Sequence, residues 1–110
     1  MAAESGEYVQ LFGVDLVDPE RYEEYRRRMT PVLRAYGGDF EYDLTIARVL
    51  RQPGPDPVQR VFSIVFPSRE RSEAFFADRE YRAIRAAHFD PAVRSVTRMG
   101  SYERDAEGDA

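Results

Sequence analysis

Residues 8–19, YVQLFGVDLVDP, decide how the rest of the chain is read. The run is rich in β-branched and aromatic side chains and stops at Asp18-Pro19, which predicts a strand over 8–17. Asp18 is a natural N-cap and Pro19 suits the first position of a helix. Beyond them Tyr22, Tyr25, Met29, Val32, Leu33 and Tyr36 recur at helical spacing. At about 100° per residue they share one stripe, with Glu20, Glu23, Glu24, Arg27, Arg28 and Arg34 on the opposite side. Pro31 predicts a kink near Thr30, and Gly37-Gly38 supplies a left-handed C-cap. A strand therefore leads directly into an amphipathic helix.

Working outward, DFEYDLTIARVLR (39–51) suits a second strand, and QPGPDPV (52–58) is a stiff, exposed connection. QRVFSIVF (59–66) reads as a third strand ending at Pro67, after which Ser68 caps a second helix. Asp78 caps a renewed turn, so 69–77 and 79–88 read as two helical pieces, closed by Phe89-Asp90-Pro91. SVTRMGSY (95–102) is the last strand. The order βαββαβ predicts an α+β, ferredoxin-like fold: a four-stranded antiparallel sheet with both helices on one face. One domain over 8–102 is expected, with flexible tails at 1–7 and 103–110.

Two of the strands are apolar at both parities: Phe12 and Val14 beside Val9 and Leu11, then Val61 and Val65 beside Phe62, Ile64 and Phe66. Two helices hide only one sheet face. Leaving the other in water forfeits about 2 kcal/mol per large side chain, so a second copy is the expected cover. The expectation is a homodimer with its sheets face to face.

Composition limits the chemistry. Twenty acidic residues stand against sixteen basic ones, for a formal charge of −4. This is the wrong balance for a phosphate backbone, and nucleic acid is not an expected partner. No apolar run is long enough for a membrane span, no leader is recognisable, and the expected location is cytoplasmic. All sixteen basic residues are arginine, which excludes a Schiff-base lysine or a Walker-type loop. With no cysteine and a single histidine, thiolate nucleophiles and multi-histidine metal sites are also excluded. No cofactor or metal is expected.

The motifs DPERYEEYR (18–26), AYGGDF (35–40), VFPS (65–68), EAFF (73–76) and DREY (78–81) resemble the uncharacterised domain family numbered 1330, in the dimeric α/β-barrel superfamily. The resemblance runs from about Tyr8 to Tyr102 and implies a dimeric barrel. Relatives in that superfamily include cofactor-independent monooxygenases and polyketide cyclases, whose small-molecule pocket lies between helices and sheet. Members of the family commonly carry a Glu where this chain has Val65, another where it has Met99, and an Arg where it has His88. Set against the resemblance, these departures imply a less charged pocket that has acquired an imidazole.

The candidate site lies in EYRAIRAAHFDP (80–91). On a regular helix Tyr81, Ile84 and His88 share a stripe facing the sheet, with Arg85 at its border. Tyr81 and His88 would sit about 10 Å apart, able to grip one ligand from two ends. An imidazole titrating near 6.5 makes His88 the candidate catalytic base, and Tyr81, near 10, the candidate donor. The resemblance adds that some cyclases of the superfamily use a tyrosine and a histidine from this region. The competing reading places His88 in the last helical turn, where the macrodipole and unpaired carbonyls favour it without any ligand. Tyr22 and Tyr25 belong either to the core or to a pocket wall. Arg26 either binds an anionic group or lies over apolar surface, and Arg85 is a further candidate ligand contact. Two functions remain open: a cofactor-independent enzyme acting by proton transfer, cyclisation or monooxygenation on a small carbonyl or aromatic metabolite, or a non-catalytic dimeric ligand-binding or accessory module.

Overall fold

The computed structural model describes residues 6–105. Its elements are β1 (Gly6–Leu16), α1 (Pro19–Ala35), β2 (Asp39–Thr45), β3 (Arg60–Phe66), α2 (Arg69–Ala77), α3 (Arg79–Ile84) and β4 (Val93–Asp105). The sheet order is β2-β3-β1-β4, antiparallel throughout. This is the α+β, ferredoxin-like arrangement the sequence predicts.

Local chemistry accounts for the boundaries. Arg21 N donates to Asp18 Oδ1 at 3.1 Å, so the expected N-cap of α1 is present. At the other end Gly37 takes φ +82, and the amides of Gly37 and Gly38 bond back to the carbonyls of Arg34 and Leu33. Pro31 lies inside α1, which continues to Ala35. Just before it, Thr30 Oγ1 donates to the Arg26 carbonyl one turn back at 2.5 Å, a back-bond that bends helices.

Three strands differ clearly from their expected bounds. β2 stops at Thr45 instead of reaching 51, because β3 begins only at Arg60 and leaves 46–51 without a strand to pair with. Pro53, Pro55 and Pro57 remove three donors from the facing stretch. The last link is Ile46 N to the Gln59 carbonyl at 2.8 Å. By contrast β1 starts at Gly6 and β4 runs on to Asp105, since these two ends pair with each other. Only residues 1–5 and 106–110 of the expected tails lie outside the described residues.

The strand pleat sorts the apolar residues onto two faces. Phe12, Val14, Phe62, Ile64 and Phe66 face the helices and meet Tyr22, Tyr25, Met29 and Leu33 of α1, Phe75 of α2 and Tyr81 of α3. The outer face carries Val9, Leu11, Val61 and Val65. Val9, paired in register with both Val65 and Tyr102, is 0 % exposed even without a partner. Leu44, Met99 and Tyr102 are exposed. Arg104 crosses this face, bonding Glu7 of β1 at 2.9 Å and Glu41 of β2 at 2.7 Å.

Candidate functional site

The second helical segment sets the site. Asp78, in extended conformation, ends α2 and caps α3 by accepting from Tyr81 N at 2.9 Å. After six residues α3 widens into a π-turn over Arg85–Phe89, marked by the Asp90 amide bonding to the Arg85 carbonyl. Such a turn inserts one extra residue and rotates the side chains beyond it about the helix axis. The expected stripe Tyr81, Ile84, His88 therefore fails at its last member. Phe89 is the buried residue, packing on Tyr25 at a ring distance of 4.8 Å, while His88 is only half-buried. Among the described residues His88 makes no side-chain hydrogen bond, and it is not part of the wall around Tyr81 and Phe76. Nor does it cap the turn: Arg21 Nη1 of α1 takes the Ala87 carbonyl at 3.2 Å.

The fold brings Tyr25, not His88, to Tyr81. Their hydroxyls are 2.9 Å apart in the buried layer between α1 and α3, with the Phe75 ring 4.2 Å from that of Tyr81. Burial pushes the Tyr25 hydroxyl well above its ordinary value, and the neighbouring Tyr81 hydroxyl adds to the rise. Burial also raises Tyr81, against the opposing pull of its bond with Tyr25 and of the Arg85 charge. Arg85, itself exposed, is held near Asp90 at 3.6 Å. The pair is thus a neutral donor–acceptor couple at pH 7, with the Arg85 charge opposing the rise at both hydroxyls.

Arg26 and Tyr22 form a separate cluster. Arg26 donates to Tyr22 Oη at 2.9 Å and to Asp43 Oδ2 at 2.7 Å, and its guanidinium lies 3.6 Å from the Phe40 ring centre. Arg60 adds two bonds to Asp43 and one to Glu23. The hydrogen bond from Arg60, then that from Arg26, holds the Asp43 carboxyl below its usual value, overcoming its partial burial. Arg26 is the boundary arginine over apolar surface, committed to carboxylate and ring. Of the two readings left open for Arg26, the one over apolar surface is the one seen, and the residue lies apart from Tyr81.

Tyr25, Tyr81 and Arg85 line the inner end of a cleft between α2–α3 and the β1–β4 side of the sheet. The narrow end, about 40 Å³, is walled by Phe12, Phe62, Phe76 and Phe89. It widens at Arg82, Arg85 and Ala86 into a mouth of about 340 Å³. A neighbouring hollow of about 400 Å³ reaches Gln10, Ser72 and Arg98. Phe76 is the wall common to all three. The replacements at Val65 and Met99 do not touch this cleft. Val65 pairs with Val9, and the Met99 sulfur sits over Gly13, both on the outer face. The inference of a less charged pocket fails, since the strand pleat and a bulge point these positions away from the helices.

Gln10, Ser72, Arg82, Arg98 and Phe76 are cleft residues that the sequence reading missed. One signal was available: Gln10 is the polar break in the helix-facing row Gln10, Phe12, Val14. Among the described residues no group of three or more His, Asp and Glu is placed to hold a metal. No helix is long and apolar enough to cross a membrane.

Comparison with solved structures places the fold. A Rhodopseudomonas palustris protein of unknown function is 21 % identical with a TM-score of 0.75, over 96 % of this chain and 86 % of that one. A Mesorhizobium loti protein of the DABB family with a ferredoxin-like fold is 14 % identical with a TM-score of 0.63, over 94 % of this chain and 100 % of that one. SnoaB, a cofactor-independent oxygenase from Streptomyces nogalater, is 16 % identical with a TM-score of 0.55, over 97 % of each chain. No curated protein matches. Residues 8–101 match the family described as domain of unknown function (DUF1330), and the chain belongs to that family.

Proposed function

We propose that this protein binds a small aromatic molecule bearing a carbonyl or hydroxyl oxygen in the cleft between α2–α3 and the sheet. The observation that carries this reading is the Tyr25–Tyr81 pair at the inner end of an aromatic-walled cleft. Two hydroxyls share one hydrogen bond, which leaves one hydrogen free to be donated to a ligand oxygen. The wider hollows of the cleft fall in the range of about 300–1,000 Å³ usual for small-molecule sites. Because both hydroxyls are held above their ordinary value, they serve at neutral pH as donors and not as bases. Binding is therefore favoured over base-catalysed chemistry.

A second reading, chemistry of the cofactor-independent oxygenase kind, draws support from the likeness to SnoaB in fold. It would use Tyr81 as donor and Arg85 to stabilise a substrate anion, and leaves His88 outside the cleft. Both readings include a second copy of the chain seated on the outer face, where Leu44, Met99 and Tyr102 are exposed.

The test is titration of the full chain with naphthol, monitored by ligand-observed NMR. Tyr81→Phe should weaken binding about threefold to tenfold, the worth of one neutral hydrogen bond. Unchanged affinity in Tyr81→Phe and in Phe76→Ala would place the ligand elsewhere.

A further inference from the structure

We infer that the cleft selects an aromatic carboxylate, whose negative group is received by Arg82 of α3 and Arg98 of β4 above the carboxamide of Gln10. This rests on the reading of the cleft as a small-molecule site and names the class of its ligand.

Three features of the hollow next to the tyrosine pair converge. Its floor is Gln10, 4 % exposed, bonded to the 2 % exposed Ser72, whose hydroxyl donates to Gln10 Oε1 at 2.7 Å. That bond uses the acceptor end of the amide. Among the described residues nothing accepts from Gln10 Nε2, and this nitrogen is not one of the sealed-off atoms that lack a partner, so the donor is open to the hollow that Gln10 lines. Arg82 and Arg98 stand over this floor, and among the described residues neither has a carboxylate partner. The other arginines of the clefts and grooves have carboxylate partners: Arg26 and Arg60 share Asp43, and Arg85 lies near Asp90.

The aim of Arg98 comes from a bulge. In the β1–β4 ladder Leu11 faces Gly100 and Phe12 faces Arg98, with Met99 as the extra residue between them. Without it Met99 would fall beside Phe12 on the helix face. The bulge turns Met99 outward and brings Arg98 to the helix side, facing α3. Gly100, at φ +154, supplies the backbone freedom next to it.

Charge and shape then define the ligand. On a chain of net charge −4, the cleft gathers Arg82, Arg85 and Arg98 against Glu73 and Asp90, a local reversal of sign. Planar guanidinium groups match a carboxylate in geometry. Glu73 at the same hollow repels a dianionic phosphate more than a monoanion. The aromatic rings of Phe76 and Tyr81, which connect this hollow to the tyrosine pair, require an aromatic body on the acid.

The experiment titrates the full chain with naphthoate, naphthamide and naphthyl phosphate at low ionic strength, monitored by naphthalene fluorescence. Naphthoate should bind about tenfold tighter than the isosteric amide, the factor expected from one charge-assisted contact. Arg82→Gln and Arg98→Gln should each remove most of that advantage while leaving the amide within about twofold. Equal affinity for acid and amide would overturn the carboxylate assignment and leave the cleft reading standing. So would an acid preference that persists in both variants, or tighter binding of the phosphate. If none of the three probes binds, both the assignment and the cleft reading fall.

Discussion

The hydroxyls of Tyr25 and Tyr81 lie 2.9 Å apart although 56 residues separate them in the chain. The contact joins the middle of α1 to the start of α3. It places the one uncommitted hydroxyl hydrogen of the pair at the inner end of the cleft. Its energetic worth is measurable in the absence of any ligand.

Tyr25→Phe and Tyr81→Phe should each cost about 1 kcal/mol, because each leaves the other hydroxyl buried without its partner. The double variant should cost less than the sum, since removing both groups restores an apolar contact. Urea denaturation of the four proteins measures the coupling. Strict additivity would show that the two hydroxyls do not interact.

Alkaline titration reports on the same pair. Both folded-state values lie above the ordinary 10.0 of tyrosine. Above about pH 10 the unfolded chain loses these protons first and so binds fewer than the native state. The contribution is fully present below about pH 10 and is lost as pH rises through the folded values. Stability should decline above about pH 10, and decline less steeply in the Tyr25→Phe, Tyr81→Phe double variant. Equal slopes in equilibrium unfolding from about pH 9 to 11 would contradict the raised values.

Arg26→Gln should separate stability from binding. It breaks the bonds to Tyr22 and Asp43 and uncovers Phe40, at a cost of about 1–2 kcal/mol. Naphthol affinity should stay within about twofold, because the cluster lies apart from the cleft. A loss of about tenfold with stability intact would return Arg26 to the ligand site.

His88→Gln is expected to be quiet. The ring is half-buried and bonds nothing among the described residues, so stability should change by no more than about 0.5 kcal/mol. Probe affinity should not change. A pH-dependent loss of binding in the native protein, absent in the variant, would restore the imidazole to a functional role.

The outer face makes a prediction about assembly. Leu44→Glu with Met99→Glu should convert a dimer into a monomer by placing two carboxylates on the face that a second copy would cover. Sedimentation equilibrium decides this, and a native chain that is already monomeric at micromolar concentration would remove the second copy from the proposal.

Much of the fold is legible in short stretches, because the signals that set it act over a few residues. Asp18-Pro19 starts a helix directly after a strand, Gly37-Gly38 ends one, and Asp78 both breaks and restarts the second helical segment. Strand ends are less legible. Pairing is supplied by a distant partner: β2 stopped short for lack of one, and β4 ran to Asp105 because Gly6 lay opposite.

The site divides the same way. Tyr25, Tyr81 and Arg85 are found from helical spacing, which holds as long as the helix stays regular. One added residue in the π-turn then exchanged Phe89 for His88, and one added residue in the β4 bulge exchanged Arg98 for Met99. The amino-acid order by itself determined the elements, their order and the apolar faces, because capping and periodicity are local properties. Which side chains meet in the cleft was decided only by tertiary structure. A face is a matter of register, and the turn and the bulge that shift it answer to packing against distant elements and not to local capping or periodicity.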